Sequence, residues 1–177
     1  MDLKNTQTAQ NLKAAFTEEC KVYMRYRFYA AKARREGYEQ IADLIEETAK
    51  NEKEHAEVFF RRLYGDPATS DDLQQAASGE NNEWTKMYAD FAAVAEQEGL
   101  SEISALFYNV GKIEKMHEQR FKTLLENVNT KQVFERPESQ VWICQSCGHI
   151  HEGTAAPQQC PVCEKPQSFF EIKANNF

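Results

Sequence analysis

A chain of 177 residues with 41 % apolar and 28 % charged content is sized for one ordinary domain, or for one domain with a small appendage, and excludes two full-sized folds. Seven Gly and five Pro are too few for a disordered or loop-rich all-β chain, so helix is the default expectation. A formal charge of -7 offers no positive field to nucleic acid or to an anionic membrane surface, and neither is expected as a partner.

In chain order, Met1–Gln7 carries no apolar run of signal-peptide type and no later stretch approaches membrane-spanning length, which predicts a cytoplasmic protein. Residues 8–36 then place Leu12, Ala15, Phe16, Val22, Tyr26 and Ala30 along one face, the stripe of an amphipathic helix. Residues 38–64 repeat the pattern through Ile41, Ile45, Phe59 and Leu63. A third segment runs to Gln97 through Met87, Phe91 and Val94, and a fourth, residues 101–128, through Ile103, Leu106, Val110, Phe121 and Leu124. Gly37, Gly65 and Gly99 punctuate the breaks. Four amphipathic helices with short connections predict an all-α four-helix bundle over residues 1–132. Arg136-Pro137-Glu138-Ser139 reads as a linker, 133–138, and residues 139–177 as a second unit too small to hold itself together by hydrophobic burial alone.

The apolar stripes are interrupted by ionisable residues. Helical steps in the first segment land on Glu19, and in the second on Glu52 and His55. In the third they land on Glu80 and Glu83, and in the fourth on Glu114 and His117. Unpaired charge on a buried face costs several kcal/mol, so something must neutralise it. Glu19 and Glu52 are equidistant from a point just before Gly37, and Glu83 and Glu114 from one beside Gly99, so each helical hairpin brings its carboxylates to one level. The two Glu-x-x-His pairs add an imidazole one turn along on the same side. Five carboxylates and two imidazoles are too many for one metal ion and suit two.

Cys144-Gln-Ser-Cys147 and Cys160-Pro-Val-Cys163 form Cys-x2-Cys-x12-Cys-x2-Cys, a strong signature for one tetrahedral metal. Spacing alone is compatible with Zn or Fe. Cys20, the fifth cysteine, reads as a packing residue.

These residues resemble the rubrerythrin family over essentially the whole chain. Ala15-Phe16-Thr17-Glu18-Glu19 with Arg25-Tyr26 is similar to the family's first ligand helix, and Glu52-Lys-Glu-His55 to the second. Gly79-Glu80-Asn-Asn-Glu83-Trp84 is similar to the third, and Glu114-Lys-Met-His117 to the fourth. Trp142-Ile143-Cys144 through Cys163 resembles the rubredoxin-like part, with one departure: Glu164 stands where rubredoxins often place Gly. The resemblance implies a ferritin-like bundle holding two Fe ions on Glu19, Glu52, His55, Glu80, Glu83, Glu114 and His117. It also implies a small C-terminal rubredoxin-like β domain with one Fe on Cys144, Cys147, Cys160 and Cys163, Zn being the misloaded form. The implied activity is a peroxidase that reduces hydrogen peroxide to water, refilled by electrons through the thiolate iron from rubredoxin or an NAD(P)H-dependent reductase. It further implies that His55 and Glu83 alternate as ligands of one iron with redox state. Tyr26 and Tyr88 read first as core aromatics, with support of the ligand carboxylates as the alternative. The competing functions are a ferroxidase or iron-handling protein and a non-enzymatic module with Zn on the four cysteines.

A homodimer or higher homo-oligomer is expected, with two readings of its construction. If a helix begins near Ser70, the break after Tyr64 is too short to run the length of a bundle, and the helix pairs are exchanged between chains. If residues 65–79 are irregular, fifteen residues reach ~50 Å and close the bundle within one chain.

Overall fold

The computed structural model describes residue 3 and residues 5–175, so part of the N-terminal segment read above lies outside the described residues. Five α-helices are followed by three strands: α1 (Gln7–Arg35), α2 (Glu39–Tyr64), α3 (Thr69–Asn82), α4 (Tyr88–Gln97), α5 (Ser101–Asn129), β1 (Glu135–Cys144), β2 (Ile150–Ala155) and β3 (Phe170–Ile172). A π-helical turn, Glu83–Met87, joins α3 to α4 without a break, so the helical part consists of four long rods. The chain divides into two compact units, residues 1–67 and 68–177.

In the first unit α1 and α2 form an antiparallel hairpin. Thr6 caps α1, its Oγ1 accepting from the Ala9 N–H at 3.1 Å. Gly37, at φ 84°, ends the helix: Tyr38 N–H bonds back to Ala33 O at 2.9 Å and Gly37 N–H to Arg34 O at 3.0 Å. Arg34 then ties the hairpin, donating to Asp43 Oδ1 at 2.7 Å and to both oxygens of Glu46 at 2.8 and 3.0 Å. The fully buried side chains here are small, Ala30, Ala33, Ala42, Ala49 and Ala56, which lets the two backbones approach closely. The buried stripe of α2 therefore runs through Ala42, Ala49 and Ala56, and the expected Ile41 and His55 each lie one residue before it. His55 consequently stands at the rim, with 57 % of its side chain exposed.

In the second unit α3, the π turn and α4 lie against α5. The α4–α5 corner repeats the closure of the first, with Gly99 at φ 74°, Leu100 N–H to Ala95 O at 2.8 Å and Gly99 N–H to Glu96 O at 3.1 Å. The π turn is marked by the Tyr88 N–H bonding to Glu83 O, five residues back. One extra residue in a turn shifts the helical phase. After it Ala95 is buried and Ala92 half-buried, while Phe91 and Val94, expected inside from unbroken 3.6-residue periodicity, are 46 % and 51 % exposed.

The C-terminal sheet has strand order β2-β1-β3, antiparallel throughout, with Trp142 opposite His151 on one side and Ile172 on the other. Residues 133–138, read as a linker, contain the start of β1. Its register against β2 shifts between Glu135 and Gln140, which accommodates Pro137 as a bulge does. Trp142, Cys144, Ala156, Cys160 and Phe170 form a buried core, and the Trp142 indole donates to Gly153 O at 2.9 Å. The expected class, all-α with a small C-terminal β domain, is the one observed.

Candidate metal centres

Among the described residues, three groups of donor side chains gather within 4.8 Å: Glu19, Glu52 and His55; Glu80, Glu114 and His117; and Cys144, Cys147, Cys160 and Cys163. The first two lie in separate compact units and share one design. His55 Nδ1 stands 2.9 Å from Glu52 Oε2 on its own helix and 3.9 Å from Glu19 Oε1 across the hairpin. His117 Nδ1 stands 2.6 Å from Glu114 Oε2 and 3.8 Å from Glu80 Oε2. The i,i+3 spacing supplies the short contact, and the level matching of the hairpin supplies the long one.

The carboxylates are half-buried, with side-chain exposures between 14 % for Glu114 and 25 % for Glu19. Burial pushes the Glu19 carboxyl above its ordinary value, helped by its hydrogen bond to Glu52, and burial followed by the Glu114 charge does the same to Glu80. Partly desolvated like charges in contact are what a bound cation relieves. Carboxylate oxygen with one imidazole nitrogen suits iron and its first-row neighbours, so each triad fits half of a dinuclear centre.

Glu83 is not part of the close group. It opens the π turn, near enough for its charge to raise both Glu80 and the Tyr88 phenol, although burial is the larger cause at each. Cys20 is free and half-buried beside Glu19.

Glu118 escaped the sequence reading. It is 5 % exposed, the one charged residue buried among those described, and follows His117 directly. Its carboxylate accepts from Trp84 Nε1 at 2.5 Å and Asn81 Nδ2 at 3.0 Å and pairs with Lys122, 2.5 Å away. Lys122, then Trp84, hold it below the usual carboxylate range despite its burial. Glu118 thereby clamps the π turn to α5. A signal existed in its position one turn after Glu114, but a solvated helix Glu looks the same in sequence.

The four cysteines come from two matching knuckles. After each Cys-x-x-Cys the chain turns left-handed, at Gly148 with φ 77° and at Glu164 with φ 59°. Gly148 N–H bonds to Cys144 O at 2.8 Å and Glu164 N–H to Cys160 O at 2.9 Å. Cys144 Sγ lies 3.7 Å from Cys163 Sγ, and Cys147 Sγ 3.6 Å from Cys160 Sγ. A tetrahedron of sulfurs 2.3 Å from a metal has edges of about 3.8 Å, so the thiols stand at metal-binding separation. Their proton affinities diverge. At Cys147 the His149 backbone N–H favours thiolate, but burial and the three other thiols push it up to about 12. At Cys160 burial is outweighed by the N–H groups of Cys163 and Val162 and by neighbouring thiols, bringing it down to about 7. The Glu19, Glu52, Glu80, Glu114, His55, His117 and four-cysteine assignments of the sequence thus converge into three clusters.

The family described as Rubrerythrin matches residues 10–125, and the one described as Rubrerythrin, rubredoxin-like domain, matches residues 142–171. Rubrerythrin-1 of Clostridium acetobutylicum is 42 % identical over 194 aligned positions, covering 99 % of this chain and 98 % of the relative. The rubrerythrin of Porphyromonas gingivalis is 43 % identical, covering 99 % and 94 %. A solved structure of nigerythrin in a mixed-valence state aligns with 98 % of this chain and 92 % of its own at 28 % identity, with a TM-score of 0.36.

Proposed function

The chain belongs to the rubrerythrin family, with that family's di-iron donors and rubredoxin-like four-cysteine site, and from this premise we propose that it is a peroxidase reducing hydrogen peroxide to water. The observation that carries the reading is the presence in one chain of two Glu-Glu-His triads and a four-thiol cluster at metal-binding separation. A dinuclear store without an electron path suits iron handling; the added thiolate site supplies a one-electron relay. When bound, the ferrous pair supplies two electrons, which with two protons convert one hydrogen peroxide into two waters.

The chain's own part is to hold the irons and to shape their surroundings. Glu19, Glu52, His55, Glu80, Glu114 and His117 would hold the two irons, and Glu83 would be the further donor that alternates with His55. Two features support this exchange: the exposed rim position of the His55 imidazole and the location of Glu83 at the head of the π turn, where the helix is most easily adjusted. Tyr88 Oη keeps its proton, burial and the charges of Glu83, Glu114 and Glu80 opposing ionisation, and stands as a neutral group against the carboxylates. Glu118, through Trp84, keeps the turn against α5. The four cysteines hold the relay iron, refilled by rubredoxin or an NAD(P)H-dependent reductase. No helix among the described residues is long and apolar enough to cross a membrane.

The test is anaerobic. Iron-loaded protein is reduced, stoichiometric hydrogen peroxide is added, and the ferric-thiolate absorbance is followed with peroxide loss. Rapid return of the colour, abolished by Glu52→Ala and unaffected by Cys20→Ala, is expected. Colour that ignores peroxide while the protein oxidises ferrous iron with oxygen would replace the peroxidase with iron handling.

A further inference from the structure

The two donor triads share one internal geometry but have unequal support behind them. In the second unit each candidate ligand is followed directly by a member of one side-chain cluster where α3 and the π turn meet α5. Glu80 is followed by Asn81, Glu83 by Trp84, Glu114 by Lys115 and His117 by Glu118. Consecutive residues of a helix point about 100° apart, so a side chain held at one position fixes the direction of the one before it.

The cluster centres on Glu118, buried at 5 % exposure. Its Oε1 accepts from Asn81 Nδ2 at 3.0 Å and its Oε2 from Trp84 Nε1 at 2.5 Å, while Lys122 Nζ lies 2.5 Å from Oε1. Lys115 Nζ stands 5.0 Å from the centroid of the Trp84 ring. The carboxylate thus takes one donor from the last turn of α3 and one from the π turn, and fixes both against α5. Gly111 permits the approach, since a Cβ there would stand 4.0 Å from Trp84 Cα. A π turn departs from the regular α-helical ladder and is easily adjusted, so without this anchor the direction of Glu83 would be loosely set.

The first hairpin has no counterpart among the described residues. There the residues after Glu19, Glu52 and His55 are Cys20, Lys53 and Ala56. Cys20 is a free thiol, Ala56 has no polar side-chain atom, and Lys53 pairs with Glu54 and Glu57 of its own helix at 3.4 and 3.6 Å. Outside the triad, the side-chain hydrogen bonds that cross from α1 to α2 among the described residues all come from Arg34. That anchor lies at the turn, about 22 Å along the helix from Glu19. Hydrogen bonds that orient metal ligands from behind change affinity by roughly ten- to a hundredfold, because a ligand set already in place need not be ordered on binding.

We infer that Glu118 is a positioning residue of the metal centre: by holding Asn81 and Trp84 it presets Glu80, Glu83 and His117, and makes their half the one that takes the first divalent cation. The half built on Glu19, Glu52 and His55 fills second. The inference rests on the di-iron reading above and adds an order of loading together with the residue that sets it.

The test titrates Co(II) into the full-length protein by calorimetry, with the four-cysteine site loaded and the bundle freed of metal by a chelator. Two matched variants each lose one glutamate and one histidine. Glu19→Ala with His55→Ala leaves the anchored half intact, and Glu80→Ala with His117→Ala leaves the other. The first variant is expected to bind Co(II) about tenfold more tightly than the second. Adding Glu118→Gln, which keeps the shape but leaves one oxygen for two donors, should weaken Co(II) about tenfold in the first variant and leave the second unchanged. Trp84→Phe, which withdraws one donor and keeps a ring, should give a smaller loss, again in the first variant only. Helicity and the colour of the four-cysteine site report that each variant is folded. Equal affinity of the two variants, or a Glu118→Gln loss of the same size in both, overturns the inference and leaves the di-iron reading standing. Wild-type protein that takes up no Co(II) in the bundle refutes the di-iron reading itself, and the loading order with it.

Discussion

The two cysteine knuckles provide an internal control on backbone strain. Both turn left-handed after the second cysteine, yet one uses Gly148 and the other Glu164. An L-residue in that region is strained by about 1–2 kcal/mol, and replacing it by Gly adds about 0.5–1 kcal/mol of unfolded-state entropy to be lost. Glu164→Gly should therefore stabilise the loaded domain by about 0.5–1 kcal/mol. Nothing else is lost, because Glu164 is exposed and its hydrogen bonds run through its backbone, N–H to Cys160 O and O from Gln159 Nε2. Gly148→Ala should cost about the same amount in the opposite sense, and cleanly, since no atom lies within 4 Å of where its Cβ would stand. In so small a unit, metal binding and folding share one free energy, so the two variants should differ by roughly tenfold in resistance to a chelator. The assay follows the thiolate-to-metal absorbance of full-length holoprotein through a chelator titration in moderate guanidinium. Equal resistance of wild type and Gly148→Ala, or earlier loss of colour in Glu164→Gly, would refute the argument.

Three further outcomes follow from particular contacts. Trp142→Phe removes the indole bond to Gly153 O in a fully buried position and should destabilise the C-terminal domain by about 1–2 kcal/mol, measured by the same chelator titration. A Cβ added at Gly111 of α5 would stand 3.4 Å from Tyr88 Cβ and 4.0 Å from Trp84 Cα. Gly111→Ala should be close to neutral, its gain in helix propensity of about 1 kcal/mol offsetting a tight contact, whereas Gly111→Leu should cost about 1–3 kcal/mol in thermal unfolding and lower bundle iron. The Arg34 guanidinium holds Glu46 below the ordinary carboxylate value of 4.5. A depressed carboxyl contributes its stability above the unfolded value and loses it as pH falls through the folded one. The gap in urea midpoint between wild type and Glu46→Gln, read by helicity, should thus be full at pH 7 and shrink below pH 4.5; a constant gap would show that the pair is not coupled to protonation.

Much of this molecule is legible in sequence because its signals are local. The hairpins follow from 3.6-residue periodicity closed by Gly37 and Gly99, and the four-thiol site from the repeated Cys-x-x-Cys. Equal distances from the turns suffice to pair Glu19 with Glu52 across the first hairpin. The start of α3 was harder to read: Ala68 caps it without a side-chain bond, so only its placement decides between a long irregular connection and a short one. The π turn left no mark either, because Glu83-Trp84-Thr85-Lys86-Met87 is compatible with an ordinary α-helix, and its cost is set by what Trp84 reaches on α5. Glu118 was invisible for the same reason: its partners Asn81 and Trp84 lie more than thirty residues away.

The wide turn at Glu83–Met87 makes length, rather than composition, the sensitive variable of the third rod. An α-helix advances about 100° per residue, so the segment before the turn and the segment after it keep two independent registers. Substitutions on either side disturb only their own half. Loss of one residue between them, Thr85 for example, would let the rod relax into a continuous α-helix with every apolar residue still present. Tyr88, Ala92 and Ala95 would then rotate by about a residue's worth relative to Glu80 and Glu83, and a helix still able to pack on α5 would aim its carboxylates elsewhere. A lineage shedding this chemistry while retaining the scaffold could do so through a single codon deletion, which no survey of conserved glutamates would detect.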